Sequence, residues 1–194
     1  MRKLIGKCAL ALALSSGTAG LLVGGAASAA LATTPTPVIH FDGTPGTSAP
    51  PRTLGPYTMT PFASDSRAIG ANVSDVTLPN GTMTFSPGVD HFTIGDGWVT
   101  WSNGYTGDVY EDTGTTLTMT LPAGTGAFYF YLEPQLFGNF TFEAVAQDGA
   151  TSGPVTIQGD SGAKYFGFYG TGGCDDQDHR GDKYGRLSGG ICCW

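Results

Sequence analysis

Val76-Thr77-Leu78-Pro79-Asn80-Gly81-Thr82-Met83-Thr84-Phe85 is the stretch whose reading decides the fold. Asn-Gly stands between two runs that alternate apolar and polar residues. Both turn residues tolerate positive φ, so the chain reverses tightly and the flanking runs pair as antiparallel strands. Working outward, the same pattern recurs. Residues 91–94 and 98–101 flank Gly95-Asp96-Gly97, which predicts a second hairpin. Residues 115–121 alternate Thr with Leu and Met, giving one apolar and one polar face. Ala127-Phe128-Tyr129-Phe130-Tyr131-Leu132 is apolar on both faces, as a covered central strand should be.

Shorter strands are predicted at 38–41, 57–60, 140–146, 155–157 and 165–169. No segment carries a sustained 3.6-residue apolar repeat. The 31 glycines and the abundant Thr, Tyr, Phe and Val suit strands joined by tight turns. Together these features predict an all-β chain, an antiparallel two-sheet β-sandwich of jelly-roll type. There is no fixed-period repeat, which argues against a propeller or solenoid.

The first thirty residues read differently. Arg2, Lys3 and Lys7 form a basic start, and an Ala/Leu/Gly-rich stretch follows from Cys8 to Ala26. Ala27-Ser28-Ala29 is a small-x-small cleavage signal, with Ala30-Leu31-Ala32 as a second option. Residues 1–32 are therefore expected to be a secretory signal peptide. Ser15, Ser16, Gly17 and Thr18 interrupt the stretch, which argues against a membrane anchor, and no transmembrane segment is expected in the mature chain. Residues 33–173 make one domain.

Charge narrows the partners. The three leader cations leave six Lys+Arg against 16 Asp+Glu, a net of −10. Between Thr33 and Gly173 the only cations are Arg52, Arg67 and Lys164. A nucleic-acid partner needs a basic face to neutralise phosphates, and none is available. The acidity suits an extracellular or cell-surface protein, whose partners would be carbohydrate or surface components.

Residues 174–194 form an irregular tail with Cys174, Asp175, Asp176, Asp178, His179, Cys192 and Cys193. Structural zinc wants paired ligands with about two to four residues between members. Cys174 and His179 come near that spacing, whereas adjacent Cys192 and Cys193 suit it poorly. A second reading is a change of reading frame. Read one base later, the codons for residues 174–180 must encode Ala or Val, Thr or Met, Thr or Ile, Lys or Arg, then Thr or Ile twice. That is an amphipathic strand with a basic residue, and its loss would leave the 165–169 strand with an open edge.

The candidate sites in the body are aromatic and acidic. Trp98, Trp101, Tyr105 and Tyr110 cluster in sequence, and Tyr129 and Tyr131 share one strand face with Glu133. Exposed aromatic faces stack on the apolar C–H face of a pyranose, with Asp96, Asn103 and Asp108 available for its rim. The competing expectation is that these rings are core. On one strand Trp98 and Trp101 would point to opposite faces. Asp108, Glu111 and Asp112, beside Gly107 and Gly114, are candidate calcium ligands, since calcium takes about six to eight oxygens. The competing expectation is solvated turn acids.

Glu133 and Glu143 are the candidate carboxylate pair for a glycan hydrolase or lyase. His40 and His91 are the body histidines, and Asp90 beside His91 should face away from it. No nucleophile elbow, metalloprotease helix motif or phosphate loop occurs. Asn72, Asn80 and Asn139 head N-glycosylation sequons, expected to be silent behind a bacterial-type export signal.

The chain resembles small exported bacterial proteins of a jelly-roll, galactose-binding-like type. Phe41-Asp42-Gly43, the 54–62 stretch, Gly104-Tyr105-Thr106-Gly107-Asp108-Val109-Tyr110, residues 127–134 and Tyr165-Phe166-Gly167-Phe168-Tyr169 carry the resemblance. It covers residues 39–173 and implies the sandwich fold, without a catalytic motif. It also implies one more Ile/Thr/Val strand after Tyr169, which this chain lacks. The function expected is a secreted, non-enzymatic β-sandwich that binds carbohydrate. The alternatives are a structural surface module or the hydrolase or lyase just described.

Overall fold

The computed structural model describes residues 8–15 as backbone, and residues 38–43 and 45–172 in full. The 174–194 tail, with its cysteines, and the 27–29 cleavage signal lie outside the described residues. Strands are the only regular elements among the described residues. They are β1 Cys8–Ser15, β2 Val38–Phe41, β3 Thr53–Leu54, β4 Tyr57–Thr58 and β5 Thr60–Pro61. Then come β6 Asn72–Leu78, β7 Gly81–Ile94, β8 Gly97–Trp98, β9 Asp108–Asp112 and β10 Thr118–Thr120. The last are β11 Ala127–Pro134, β12 Asn139–Phe142, β13 Val155–Gln158 and β14 Lys164–Thr171.

One large sheet runs β10–β7–β9–β1–β11–β14–β2, with β6 and β8 also on β7 and β5 on β1. Small two-stranded sheets, β12–β13 and β3–β4, complete the fold. All pairings between named strands are antiparallel except the short β7–β8 pair. The Asn80-Gly81 turn joins β6 to β7 with Leu78 opposite Gly81, as its chemistry requires.

Three local differences from the sequence reading have physical reasons. Two predicted strands, at 82–85 and 91–94, form the single strand β7. A register shift between Val73 and Asp75 absorbs the irregular middle. The second hairpin does not form. Positive-φ Gly95 and Gly97 turn the chain so that β8 lies parallel to the end of β7, and Trp101 falls outside any strand. The 108–112 segment, read as a carboxylate loop, is strand β9.

Two cores lie on the two faces of the large sheet. Phe128 and Phe130 of β11 join Phe166 and Phe168 of β14, Met83, Phe85 and Val89 of β7, and Ile157 of β13. Phe166 stacks on Phe130 at 5.2 Å between ring centroids, with the planes 5° apart. Full burial of such a ring stabilises by roughly 2–3 kcal/mol. The opposite face gathers Tyr129, Tyr131, Tyr165 and Val109 under Leu54, Met59, Trp98, Trp101 and Ala163. Strand alternation therefore sorts phenylalanines to one layer and tyrosines to the other.

β14 pairs with β11 on one side and β2 on the other. This corrects the expectation of an open edge on the 165–169 strand. The segment read as the leader holds a different place: in the full chain β1 pairs with all eight residues of β11 and with three of β9.

Candidate functional site

The expected stacking platforms are mostly core. Trp98, Trp101, Tyr110, Tyr129 and Tyr131 are each less than a tenth exposed. Trp98 and Trp101 do not face apart. The chain leaves the strand after Trp98, so both indoles turn into one cluster, edge to face at 6.5 Å. Tyr105 is half-buried against Trp101, and its hydroxyl donates to the Asp108 carbonyl at 2.9 Å. Tyr131 donates to the Ser48 carbonyl at 2.6 Å. Burial holds the Tyr129 hydroxyl at a pKa of about 12, and it raises those of Tyr105 and Tyr131 as well. Five of the six candidate rings thus fill space, and Tyr105 is half-buried.

The proposed calcium ligands do not converge. Tyr110 packs in the phenylalanine core and Val109 in the tyrosine core, so β9 sends successive side chains to opposite faces. Asp108 is taken by other partners: its Oδ1 lies 2.9 Å from His91 Nε2, and its Oδ2 accepts from the Asp65 N–H at 2.9 Å. Glu111 lies on the other face, and Asp112 Oδ1 accepts from the Gly114 N–H at 3.0 Å. Among the described residues no group of three or more His, Cys, Asp or Glu stands close enough to share an ion.

Glu133 and Glu143 are kept apart as well. Glu133 lies on the tyrosine face of β11, where Thr100 Oγ1 donates to its Oε1 at 3.1 Å and the Gly162 N–H at 3.3 Å. Glu143 follows β12, whose Phe142 packs into the phenylalanine core; it is exposed and accepts from Thr151 Oγ1 at 2.7 Å. The large sheet and one core separate the two carboxylates. They cannot flank one glycosidic bond.

What the structure does assemble is a cleft of about 400 Å³. Residues 97–100 form one wall and residues 134–137 the other. Val99 is 81% exposed, Phe137 73% and Leu136 44%, so three apolar side chains meet solvent around one opening. Trp98 lines the cleft with its ring anchored in the core. Thr100 connects the wall to Glu133, which is fully buried. Burial raises the Glu133 pKa, and the donors from Gly162, Thr100, Trp98 and Ser161 offset this in part.

Sequence reasoning missed Val99, Leu136 and Phe137. Phe137 sits in Gln135-Leu136-Phe137-Gly138, the connection between β11 and β12, where an apolar pair in a turn is itself unusual. That signal was legible. The meeting of this turn with residues 97–100 was not.

A polar network lies on the other side of the same strands. Arg67 Nε donates to Asp65 Oδ1 at 2.9 Å and Arg67 Nη1 to Asp75 Oδ1 at 3.0 Å. Tyr110 donates to Asp65 Oδ2 at 2.9 Å. The Arg67 guanidinium holds the Asp65 carboxyl well below the usual carboxylate range. Every member already has a partner, and no nucleophile stands within it, so this network ties loops to the sheet.

Comparison with known proteins found no matching family model, no similar curated protein and no similar solved structure.

Proposed function

We propose that the chain is an exported, non-enzymatic β-sandwich module that binds carbohydrate at or outside the cell surface, and that the 97–100/134–137 cleft is the binding site. The observation that carries this reading is the exposed Phe137 ring beside a cleft of about 400 Å³. A pyranose presents an apolar C–H face that an open ring can cover, and hydroxyls that need partners at the edge. Thr100 and Gln135 stand in the walls to serve them. Export is supported by the basic start, the apolar stretch and the Ala27-Ser28-Ala29 signal. The net charge of −10 in residues 33–194 disfavours nucleic acid and anionic membrane surfaces. A non-enzymatic role is supported by the separation of Glu133 from Glu143.

The test is a glycan array followed by titration of the best hit. Phe137→Ala should weaken binding about tenfold or more, the loss expected for one stacking ring, with an unchanged melting temperature. Equal affinity of the variant, or release of reducing sugar from the bound glycan, would overturn the proposal. A silent array with concentration-dependent self-association abolished by Phe137→Asp would assign the same apolar face to contact between surface modules.

A further inference from the structure

The cleft has an acid built in behind it. Wall residues Trp98 and Thr100 both donate from their side chains to Glu133, and the backbone N–H groups of Ser161 and Gly162 donate to it as well. Pro134 and Gln135, which open the other wall, follow Glu133 directly in the chain. One fully buried side chain thus ties the two walls together from behind. We infer that Glu133 sets the specificity of the cleft, its charge restricting the ligand to neutral glycans and excluding uronic and sulfated ones. The inference rests on the carbohydrate reading above. With 0% exposure Glu133 meets no ligand, so it acts as a positioning residue, through the wall and through its field.

Three of its four donors are N–H groups, which can only donate, so the surroundings suit a carboxylate that accepts. Thr100 lines the cleft, and its Oγ1 lies 3.1 Å from Glu133 Oε1. The charge therefore stands one side chain behind the cleft surface. Burial keeps water and salt from screening it, so its field reaches further than that of an exposed acid. Thr100 also spends its proton on Glu133. Toward a ligand its oxygen can then only accept. A sugar hydroxyl can donate to it, and an anionic group cannot.

Nothing in the cleft offsets that field. None of the residues that line it, 97–100 and 134–137, is charged. Among the described residues the cations are Arg52, Arg67 and Lys164, and none of the three lines the cleft. Arg67 is bound to Asp65 and Asp75, and Lys164 is the ladder partner of Leu132, which packs on the phenylalanine core. Exposed Asp96 and Asp160 stand next in sequence to Gly97 and Ser161. A carboxylate or sulfate on the ligand would lose water against a fixed negative charge, with no cation to pair with.

The experiment uses the secreted protein at pH 7 and an array of glycans in matched pairs. Glucuronic- and galacturonic-acid oligosaccharides stand beside their carboxyl-reduced glucose and galactose counterparts. Titration calorimetry then compares the two members of the best-bound pair. The neutral member should bind more tightly by about tenfold or more. The preference should persist in about 1 M salt, where exposed charges are screened beyond roughly 3 Å. Glu133→Gln removes the charge and keeps an acceptor, and the preference should fall below about threefold. Glu143→Gln removes the same charge from the exposed acid across the sheet and should leave the preference unchanged. Equal binding of the pair by the parent, tighter binding of the acidic member, or loss of the preference in salt overturns the inference and leaves the carbohydrate reading standing. So does a preference that is the same in Glu133→Gln as in the parent, or one lost equally in Glu143→Gln. A silent array overturns the carbohydrate reading itself, and the inference with it.

Discussion

His91 Nε2 and Asp108 Oδ1 lie 2.9 Å apart, with the imidazole 1% exposed. His91 opposes Tyr110 in the β7–β9 ladder, so Asp108 is its diagonal neighbour on the same face. Asp90, adjacent in sequence, points the other way and accepts from Asn72 Nδ2 at 2.9 Å. The pair matters because Asp108 also accepts the Asp65 N–H, so one carboxylate ties the 65–68 loop to two strands.

Removing that carboxylate should leave a buried imidazole and a backbone N–H without their acceptor. Asp108→Ala is therefore expected to destabilise by about 2–4 kcal/mol, while Asp90→Ala changes stability by less than about 0.5 kcal/mol. Urea denaturation of the two variants checks the contrast. Equal midpoints would show that the diagonal pair contributes nothing.

Asp65 contributes to stability in acid. Its folded pKa is depressed, chiefly by Arg67, so its contribution is complete above the unfolded value of 3.8 and is lost as pH falls below it. Arg67→Ala removes the cause of the depression. The acid unfolding midpoint, read by tryptophan fluorescence, should rise by about half a pH unit or more. An unchanged midpoint would place the acid sensitivity elsewhere.

Glu133 works in the opposite sense. Its folded pKa is raised above 4.5 by burial. Native stability is then greatest below that value and falls as pH rises from it toward the folded pKa, because the native state must hold a buried anion. Glu133→Gln keeps an acceptor for Thr100 and Gly162 without the charge. The variant should be more stable than the parent at pH 7, and the gain should shrink toward pH 4. A constant difference across thermal melts at these two pH values would contradict the cause.

Gly97 shapes the cleft. Its φ is +88°, and a Cβ there would overlap the Phe92 ring. Gly97→Ala should cost about 1–3 kcal/mol and weaken glycan binding by displacing Trp98 and Val99. Gly95 has φ +92° with open space around it, so Gly95→Ala should strain the backbone without that clash. Identical melting and binding for the two variants would remove the clash from the argument.

The strand content and the two-faced character of β11 were legible in the order of residues. Alternation with period two is a local property, and Asn80-Gly81 carries its turn in its own backbone preferences. The same local logic showed that Phe128 and Phe130 part from Tyr129 and Tyr131. It also marked the strand as covered on both faces, but not by what. That depends on β12–β13 closing over one face and the 97–101 segment over the other, contacts between residues far apart in the chain.

The composition and motifs by themselves determined an acidic, all-β chain with a leader-like start and without a basic face. Only the tertiary structure decided which groups meet. It buried Trp98, Trp101, Tyr110, Tyr129 and Tyr131, scattered Asp108, Glu111 and Asp112, and put a sheet between Glu133 and Glu143. It also opened a cleft beside Phe137 and set Glu111 and Glu133 on either side of β1. The reason is physical: alternation assigns a residue to a face, but strand order and register decide what lies across from it, and these are set by packing over the whole sheet.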